Sequence, residues 1–513
     1  MKSISAIFLL AMTITAADAQ TNLPMAWDTN SVVPPLTNVV PGLNTNETRS
    51  LTLEDCIAEA LQHNFDVQVE RYAPEISLYD LRGAYGGYDP VLSVSGTHSF
   101  NVRPGGLNAE LIPLPATTSQ SDSFNSGISG ALPTGLQYDF SGRVTDTTTS
   151  ESSGGNIAVS LTQPLLKNFW VDSTRLSISV AKNRLKYSEQ SLRQRFITTV
   201  TAVENAFYEL IYARENVQVQ QQAMELAAKQ LGDDRQRVKI QVLAERGGTI
   251  EQDEAQEAQS RANLIGAQFS LAKAQNTLKN LITDNYSQWH DTDIEPVATL
   301  AATRQLFDVQ DSWNKGLTQR PDLKQAKLDV EQQGFQLKYS FNQIFPELDL
   351  VGSYGFNGQG TEFHDTFGQI NEGNAPFYSY GAQLSIPLSN VKARNSYKAG
   401  KATAQQILLR LKQLEQNVMV DIDNAVKQAQ SSYESVDATR QARTYAEVAL
   451  NAEQGKYSAG KSTTFIVLQL QNNLTSARSQ EIRALADYNE ALANLAQQEG
   501  DTLERRKIDL KAK

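Results

Sequence analysis

The sequence predicts an α+β membrane protein, with strands of a β-barrel joined to long coiled-coil helices in two structural repeats. Three observations lead there. Segments of about ten residues alternate apolar and polar side chains, as strands between lipid and water do. The stretch from Thr174 to Leu243 has no proline and one glycine, Gly232, with apolar residues at coiled-coil spacing. Asp66, Pro90, Leu92, Val94, Gly96 and Phe100 recur 256 positions later as Asp322, Pro346, Leu348, Leu350, Gly352 and Phe356, which is the mark of an internal repeat.

The N-terminus predicts export. Lys2 precedes the apolar stretch from Ile4 to Ala17, and Ala17-Asp18-Ala19 has the small-x-small form of a signal-peptidase site. Residues 1–19 are therefore expected to be a signal peptide. No cysteine follows the site directly, so a cysteine-linked lipid anchor is not indicated. Residues 20–50, rich in Pro, Asn and Thr, are expected to form an extended arm. No run reaches the eighteen or so apolar residues of a membrane helix. An exported chain without one is either a barrel or soluble, and alternation by itself also fits a sandwich with one wet face.

Composition excludes some functions. The 513 residues carry 46 Lys+Arg against 57 Asp+Glu, a net charge of −11, which argues against a nucleic-acid partner. The lone cysteine, Cys56, cannot form an internal disulfide and lies in a helical pattern where a small buried hydrophobe is expected. His63, His98, His290 and His364 are scattered, without metal-ligand spacing. No nucleophile, base and acid come together, so neither catalysis nor a cofactor is expected.

In the first half, Leu92, Val94, Phe100 and Val102 share one strand face, and Ser93, Ser95, Thr97 and Ser99 the other. Ile157, Val159 and Leu161 alternate with Ala158, Ser160 and Thr162. In the second half the apolar rows are Leu348, Leu350, Tyr354 and Phe356, then Tyr378, Tyr380, Ala382, Leu384 and Ile386. Pro90 and Pro346 end a helix and open a strand, since proline removes a helical donor. Phe124, Ile128 and Leu132, then Leu136, Tyr138, Phe140 and Val144, suggest a further hairpin about Pro133-Thr134-Gly135, flanked by long polar loops at 103–121 and 146–155. With that hairpin the chain has six strands, and without it four.

The long helix shows an apolar seam at Phe196, Val200, Val203, Phe207 and Leu210, continued at Val217, Met224, Leu231 and Val238. Leu474, Ala477, Ala484, Tyr488, Ala491 and Leu495 repeat the pattern in the last helix. Gly455 to Ser462 matches a phosphate-binding loop letter for letter. That site needs a preceding strand, and here a helix precedes it. A helix–turn–helix corner, with Gly460 at positive φ, is the expected structure.

Several motifs in order resemble the TolC family of outer-membrane factors, the outer membrane efflux proteins. Arg320-Pro321-Asp322-Leu323 opens a helix that ends at Phe345-Pro346-Glu347-Leu348; Leu384-Ser385-Ile386-Pro387-Leu388 leaves a strand; and Tyr457-Ser458-Ala459-Gly460, with Val467-Leu468 beyond, forms a tip. Leu132-Pro133-Thr134-Gly135 and Gln163-Pro164-Leu165-Leu166 look like one branch of the family. The likeness covers residues 51–500: a first repeat at 51–284, a linker at 285–300, a second repeat at 301–500, then a polar tail at 501–513.

The resemblance implies a homotrimer whose protomers share one outer-membrane barrel, continued by a helical tunnel in the periplasm. It implies passive conduction, for efflux or type I secretion, with a periplasmic adaptor (membrane fusion protein), an inner-membrane pump and outer-membrane lipid as partners. The alternative is a periplasmic coiled-coil adaptor, which would need a lipoyl-like or barrel domain flanking a single helical hairpin. Two departures stand out. Six strands would exceed the family's four, and the first tip, Val242 to Gly248, does not match the second closely. Relatives carry carboxylate rings on the helix after the second tip, where this chain has Ile466 and Gln469. The first repeat offers a replacement: Glu254 and Glu257 lie at the same offsets from Gly248 and on one helix face. Gly247, Gly248, Glu254, Glu257, Tyr457, Gly460, Lys461, Ile466 and Gln469 are thus the candidate gate residues. Phe169 and Trp170, just after a strand, are candidate membrane-interface aromatics.

Overall fold

The computed structural model describes residues 48–107, 109, 111–147, 152–239 and 249–508. The expected signal peptide, most of the arm, and the first tip with Gly247 and Gly248 lie outside the described residues. The chain divides into two compact units.

Described residues 78–184 and 330–406 form one unit. Its centre is an antiparallel six-stranded sheet of β2 (Val91–Arg103), β3 (Thr117–Ala131), β4 (Gln137–Thr147), β5 (Ser152–Pro164), β7 (Glu347–Gly360) and β8 (Pro376–Ser385), in the order β2-β3-β4-β5-β7-β8. The further hairpin is therefore present. It turns where expected: Gly135 has φ +89°, and its N–H donates to the Leu132 carbonyl at 2.8 Å. Only glycine adopts that backbone without strain. The expected loop at 146–155 is corrected, because Asp146 pairs with Ser153 and Thr147 with Ser152. Its polar residues extend the ladder, since strand pairing needs backbone groups and no apolar side chain. The loop expected at 103–121 shortens to 104–116 for the same reason.

Register divides the sheet into two unlike faces. Leu92, Ile128, Phe140, Val159, Tyr354 and Tyr378 form one row straight across all six strands. The opposite face carries Ser95, Asn125, Ser141, Ala158, Ser353 and Ser379. A row of His98, Asp122, Asp146, Ser153 and Gly360 crosses the apolar face, where His98 and Asp122 meet at 2.7 Å, and beyond it β2 alone of these strands carries apolar residues, Phe100 and Val102. From Leu348 to Gly358, just short of that row, a strand runs about 34 Å. Tilted by about 40°, it rises about 26 Å, close to the apolar band of a membrane barrel. Among the described residues, both sheet edges, β2 and β8, are unpaired.

An element absent from the sequence reading, the short helix α8 (Phe363–Glu372), joins β7 to β8. Its label follows four helices of the other unit and three that run through both. Gly373, at φ +70°, ends it by donating to the carbonyls of Gln369 and Ile370, an αL stop.

Described residues 48–77, 185–329 and 407–508 form the second unit. Its helices include α1 (Leu53–His63), α4 (Thr249–Ile282), α5 (Tyr286–Trp289), α6 (Val309–Gln319), α10 (Thr464–Glu499) and α11 (Thr502–Arg505). Helices α2 (Phe65–Tyr85), α3 (Ser173–Lys239), α7 (Pro321–Asn342) and α9 (Val391–Ser458) contribute segments to each unit. At about 1.5 Å per residue, α3 alone is about 100 Å long. Thr52 and Asp55 cap α1 reciprocally, the Thr52 N–H donating to the Asp55 carboxylate at 3.1 Å and the Asp55 N–H to the Thr52 hydroxyl at 3.2 Å. The bounds of α1 recur 256 positions on as those of α6.

Phe196, Val200, Val203, Phe207 and Leu210 are all buried, with Cys56 and Ile57 of α1 in the same core. Every expected seam residue of α10 is buried as well. Burial pushes the Cys56 thiol up to about 12. Three boundaries are corrected. The arm ends before β1 (Thr48–Leu51), which pairs in parallel with β6 (Asp293–Pro296). The linker at 285–300 holds α5 and β6, and Ile294 is fully buried. The tail expected to be polar packs down: Leu503 joins the core, and Arg506 pairs with buried Glu204 at 2.5 Å. Local polarity hid this, because one leucine and one arginine find their partners on α3, far away in sequence.

Candidate gate at the helical tips

The corner between α9 and α10 is a tight turn over residues 459–463. Gly460 has φ +71°; its N–H donates to the Tyr457 carbonyl at 3.0 Å, and the Lys461 N–H to the Lys456 carbonyl at 2.9 Å. Those bonds close the last helical turn, and a phosphate-cradling loop after a strand is not what forms. Lys461, Ile466 and Gln469 are exposed here.

Tyr457 turns inward instead and is 8% exposed. Its hydroxyl donates to Asp234 Oδ1 on α3 at 2.7 Å and lies 2.9 Å from the Thr464 hydroxyl. Thr464 donates to Asp234 Oδ2 at 3.2 Å, and the Gln230 amide to the same oxygen at 2.8 Å. The Arg237 guanidinium stacks 4.8 Å from the Tyr457 ring centre and 4.0 Å from the Asp234 carboxylate. Asp234 is thus a buried carboxylate with three donors and a cation, the condition under which a buried charge is tolerated.

Beside it lies Asp253 of α4, 1% exposed. Among the described residues, neither of its buried carboxyl oxygens has a hydrogen-bond partner. Burial, then the neighbouring Asp234 charge, push its carboxyl up to about 7. Protonation of Asp253 relieves both its burial and its repulsion from Asp234. Asp234 itself joins α3 to α9 and α10 through Tyr457 and Thr464.

Sequence reasoning found Tyr457 and Gly460 but missed Asp234, Asp253, Thr464 and Arg237. A signal was present: Ala227 and Leu231 are buried four apart, and Asp234 follows three later on the same seam, an acid where an apolar residue belongs. Val217, Met224 and Val238 are only half-buried. Glu254 pairs with Arg235 at 2.6 Å, both half-exposed, and Glu257 is half-buried.

Phe169 and Trp170 follow β5 at the end of the sheet remote from α8. They are 40% and 46% exposed and meet edge to face. The Arg175 guanidinium lies 4.8 Å over the Trp170 ring, and the Asn168 N–H donates to Asn342 Oδ1 at 2.7 Å, fixing the turn.

Residues 313–500 match the family model of the outer membrane efflux protein. The chain carries an outer membrane efflux protein domain. It is 25% identical over 174 residues to nodulation protein T of Rhizobium leguminosarum bv. trifolii, covering 33% of this chain and 35% of that one. To outer membrane protein TolC of Salmonella enteritidis it is 22% identical over 360 residues, 70% of this chain and 71% of the other. The Campylobacter jejuni CmeC outer membrane channel superposes with a TM-score of 0.64 at 14% identity, over 94% of each chain. That likeness establishes the fold. Of these, TolC is an outer membrane protein and CmeC an outer membrane channel.

Proposed function

We propose that this protein is the outer-membrane channel of a tripartite efflux or type I secretion system, passively conducting substrate from an inner-membrane pump through a periplasmic adaptor. One observation supports this above the others: a sheet with one continuous apolar face and two unpaired edges. Unpaired backbone groups in lipid cost several kcal/mol each. Pairing β8 of one copy with β2 of the next removes every edge. Three copies then give eighteen strands, a number that leaves a water-filled channel. The helices carry on into the periplasm as a coiled-coil tunnel. Residues 51–284 and 301–500 are its two repeats, and the recurrence of α1 as α6 supports that reading. An adaptor role accounts for neither the apolar sheet face nor the two long helical pairs.

Protein purified in detergent is expected to have the mass of three protomers, and deletion of residues 91–103 to abolish that assembly. A monodisperse monomer of the intact chain would overturn the reading.

Glu254 and Glu257 are proposed to line the pore. Three such carboxylates about 7 Å apart would repel by about 0.6 kcal/mol per pair in water and about 2 kcal/mol at an effective dielectric of 20. A multivalent cation relieves that repulsion and occludes the path. Single-channel conductance is expected to be blocked by trivalent cations in the wild type and far less in Glu254→Gln/Glu257→Gln. Equal block in both would remove these residues from the lumen.

A further inference from the structure

The helix between β7 and β8 could fold into a pore or onto the outside of a barrel. The residues beneath α8 decide. The Thr366 hydroxyl, fully buried, donates to the Ser153 hydroxyl at 2.8 Å. A Cβ on Gly358 would fall 2.3 Å from the Thr366 carbonyl oxygen, and one on Gly360 2.4 Å from Asp365 Cβ. Gly358 and Gly360 continue the row of Leu350, Tyr354 and Phe356, and Ser153 pairs with Gly360. All therefore lie on the apolar face. Val144, on the same face, is 3% exposed, and α8 contacts its strand β4. Small residues form a seat, and α8 fills it from the apolar side.

The level of the seat is equally defined. Gly360 and Ser153 belong to the row of His98, Asp122 and Asp146, the first polar row beyond the apolar band. That is the level of headgroups when the band lies in a bilayer. Around α8, Thr366 and Ile370 turn to the sheet, Phe363 and Phe367 form one flank, and His364, Gly368, Asn371 and Glu372 face away, as 100° per residue requires. Phe367 is 52% exposed among the described residues.

We propose that α8 is an interfacial helix, lying in the outer leaflet at headgroup level on the lipid side of the barrel, with Phe367 entering the upper acyl chains. This rests on the barrel reading above. The ligand is the lipid surface itself, and the helix fixes the depth at which the outer rim sits. A helix that is apolar on one flank and polar on the other is suited to that position.

The test uses the intact protein in phosphatidylcholine vesicles containing lipids spin-labelled either high on the acyl chain or near its end. Cys56 is buried with a raised thiol pKa, so a maleimide fluorophore goes to an introduced cysteine. Three variants are compared: Phe367→Cys, Glu372→Cys on the face turned away from the sheet, and Tyr378→Cys within the apolar band. The Phe367 probe is expected to lose most of its emission to the high label and little to the deep one. The Glu372 probe should lose little to either, and the Tyr378 probe should respond to the deep label. A Tyr378 probe quenched by lipid while the Phe367 probe is untouched would overturn the interfacial helix alone. If that unquenched Phe367 probe is also shielded from aqueous iodide, a protein rather than lipid covers α8, and the proposal fails equally. A Tyr378 probe untouched by either label would bring down the barrel reading, and α8 with it.

Discussion

Raising the pH from about 5 to about 8 is expected to loosen the joint between α3, α4 and the second tip by about 2–3 kcal/mol. Asp253 and Asp234 share a buried site in which only Asp234 has outside donors, from Gln230, Tyr457 and Thr464. The folded carboxyl of Asp253 is raised to about 7, far above its value of about 3.9 in an unfolded chain. A raised acid stabilises the folded form fully below the unfolded value, and that contribution is lost as the pH climbs through the folded one. Above about pH 7 a second buried negative charge faces Asp234 with no donor to replace its proton. The other charged groups nearby are already engaged: Arg237 with Asp234 and the Tyr457 ring, Arg235 with Glu254, and Lys456 with Glu453. Hydrogen exchange of α3 amides after Leu231 and of the first turns of α4 should accelerate over this range. Asp253→Asn carries no charge at any pH and should flatten the profile. Identical profiles in the two proteins would rule out Asp253 as the titrating group.

Arg506→Ala is expected to destabilise the second unit by about 3–5 kcal/mol, the usual cost of stranding a buried charge. Glu204 is 2% exposed, and Arg506 meets it at 2.5 Å while also lying 3.8 Å from Glu54 of α1. Burial already pushes the Glu204 carboxyl up, and Arg506 opposes that. Without the guanidinium the acid rises further, so the loss should be smaller at acidic pH and grow as the pH rises through the new value. Thermal unfolding of the helical signal in detergent measures both effects. Adding Glu204→Gln should recover much of the loss, because it removes the stranded charge. If the double variant is no more stable than Arg506→Ala, the residue acts by packing rather than by charge. Leu503→Ala beside it, 2% exposed, should cost about 2–5 kcal/mol through the cavity it leaves.

What the sequence determined by itself was periodic. Alternation of period two named the strands and their apolar face, down to Leu92, Ile157 and Tyr378, and the spacing of four and three placed Phe196 to Leu210 and Leu474 to Leu495 in the core. Gly135 and Gly460 were legible because each turn needs a positive φ. These features repeat within one segment, so the side chains already contain them. Tertiary structure alone decided the rest. Asp234 and Asp253 read as two more acids on polar helices until supercoiling brought α3, α4 and the α9–α10 corner around them. The spacing of Phe363, Thr366, Phe367 and Ile370 was too short to announce α8, and its seat consists of glycines and one serine on two strands nearly two hundred residues apart. Leu503 and Arg506 looked like a polar tail because their partners, the α3 core and Glu204, lie three hundred residues earlier. In each case the free energy resides in burial between distant segments, which no local pattern records.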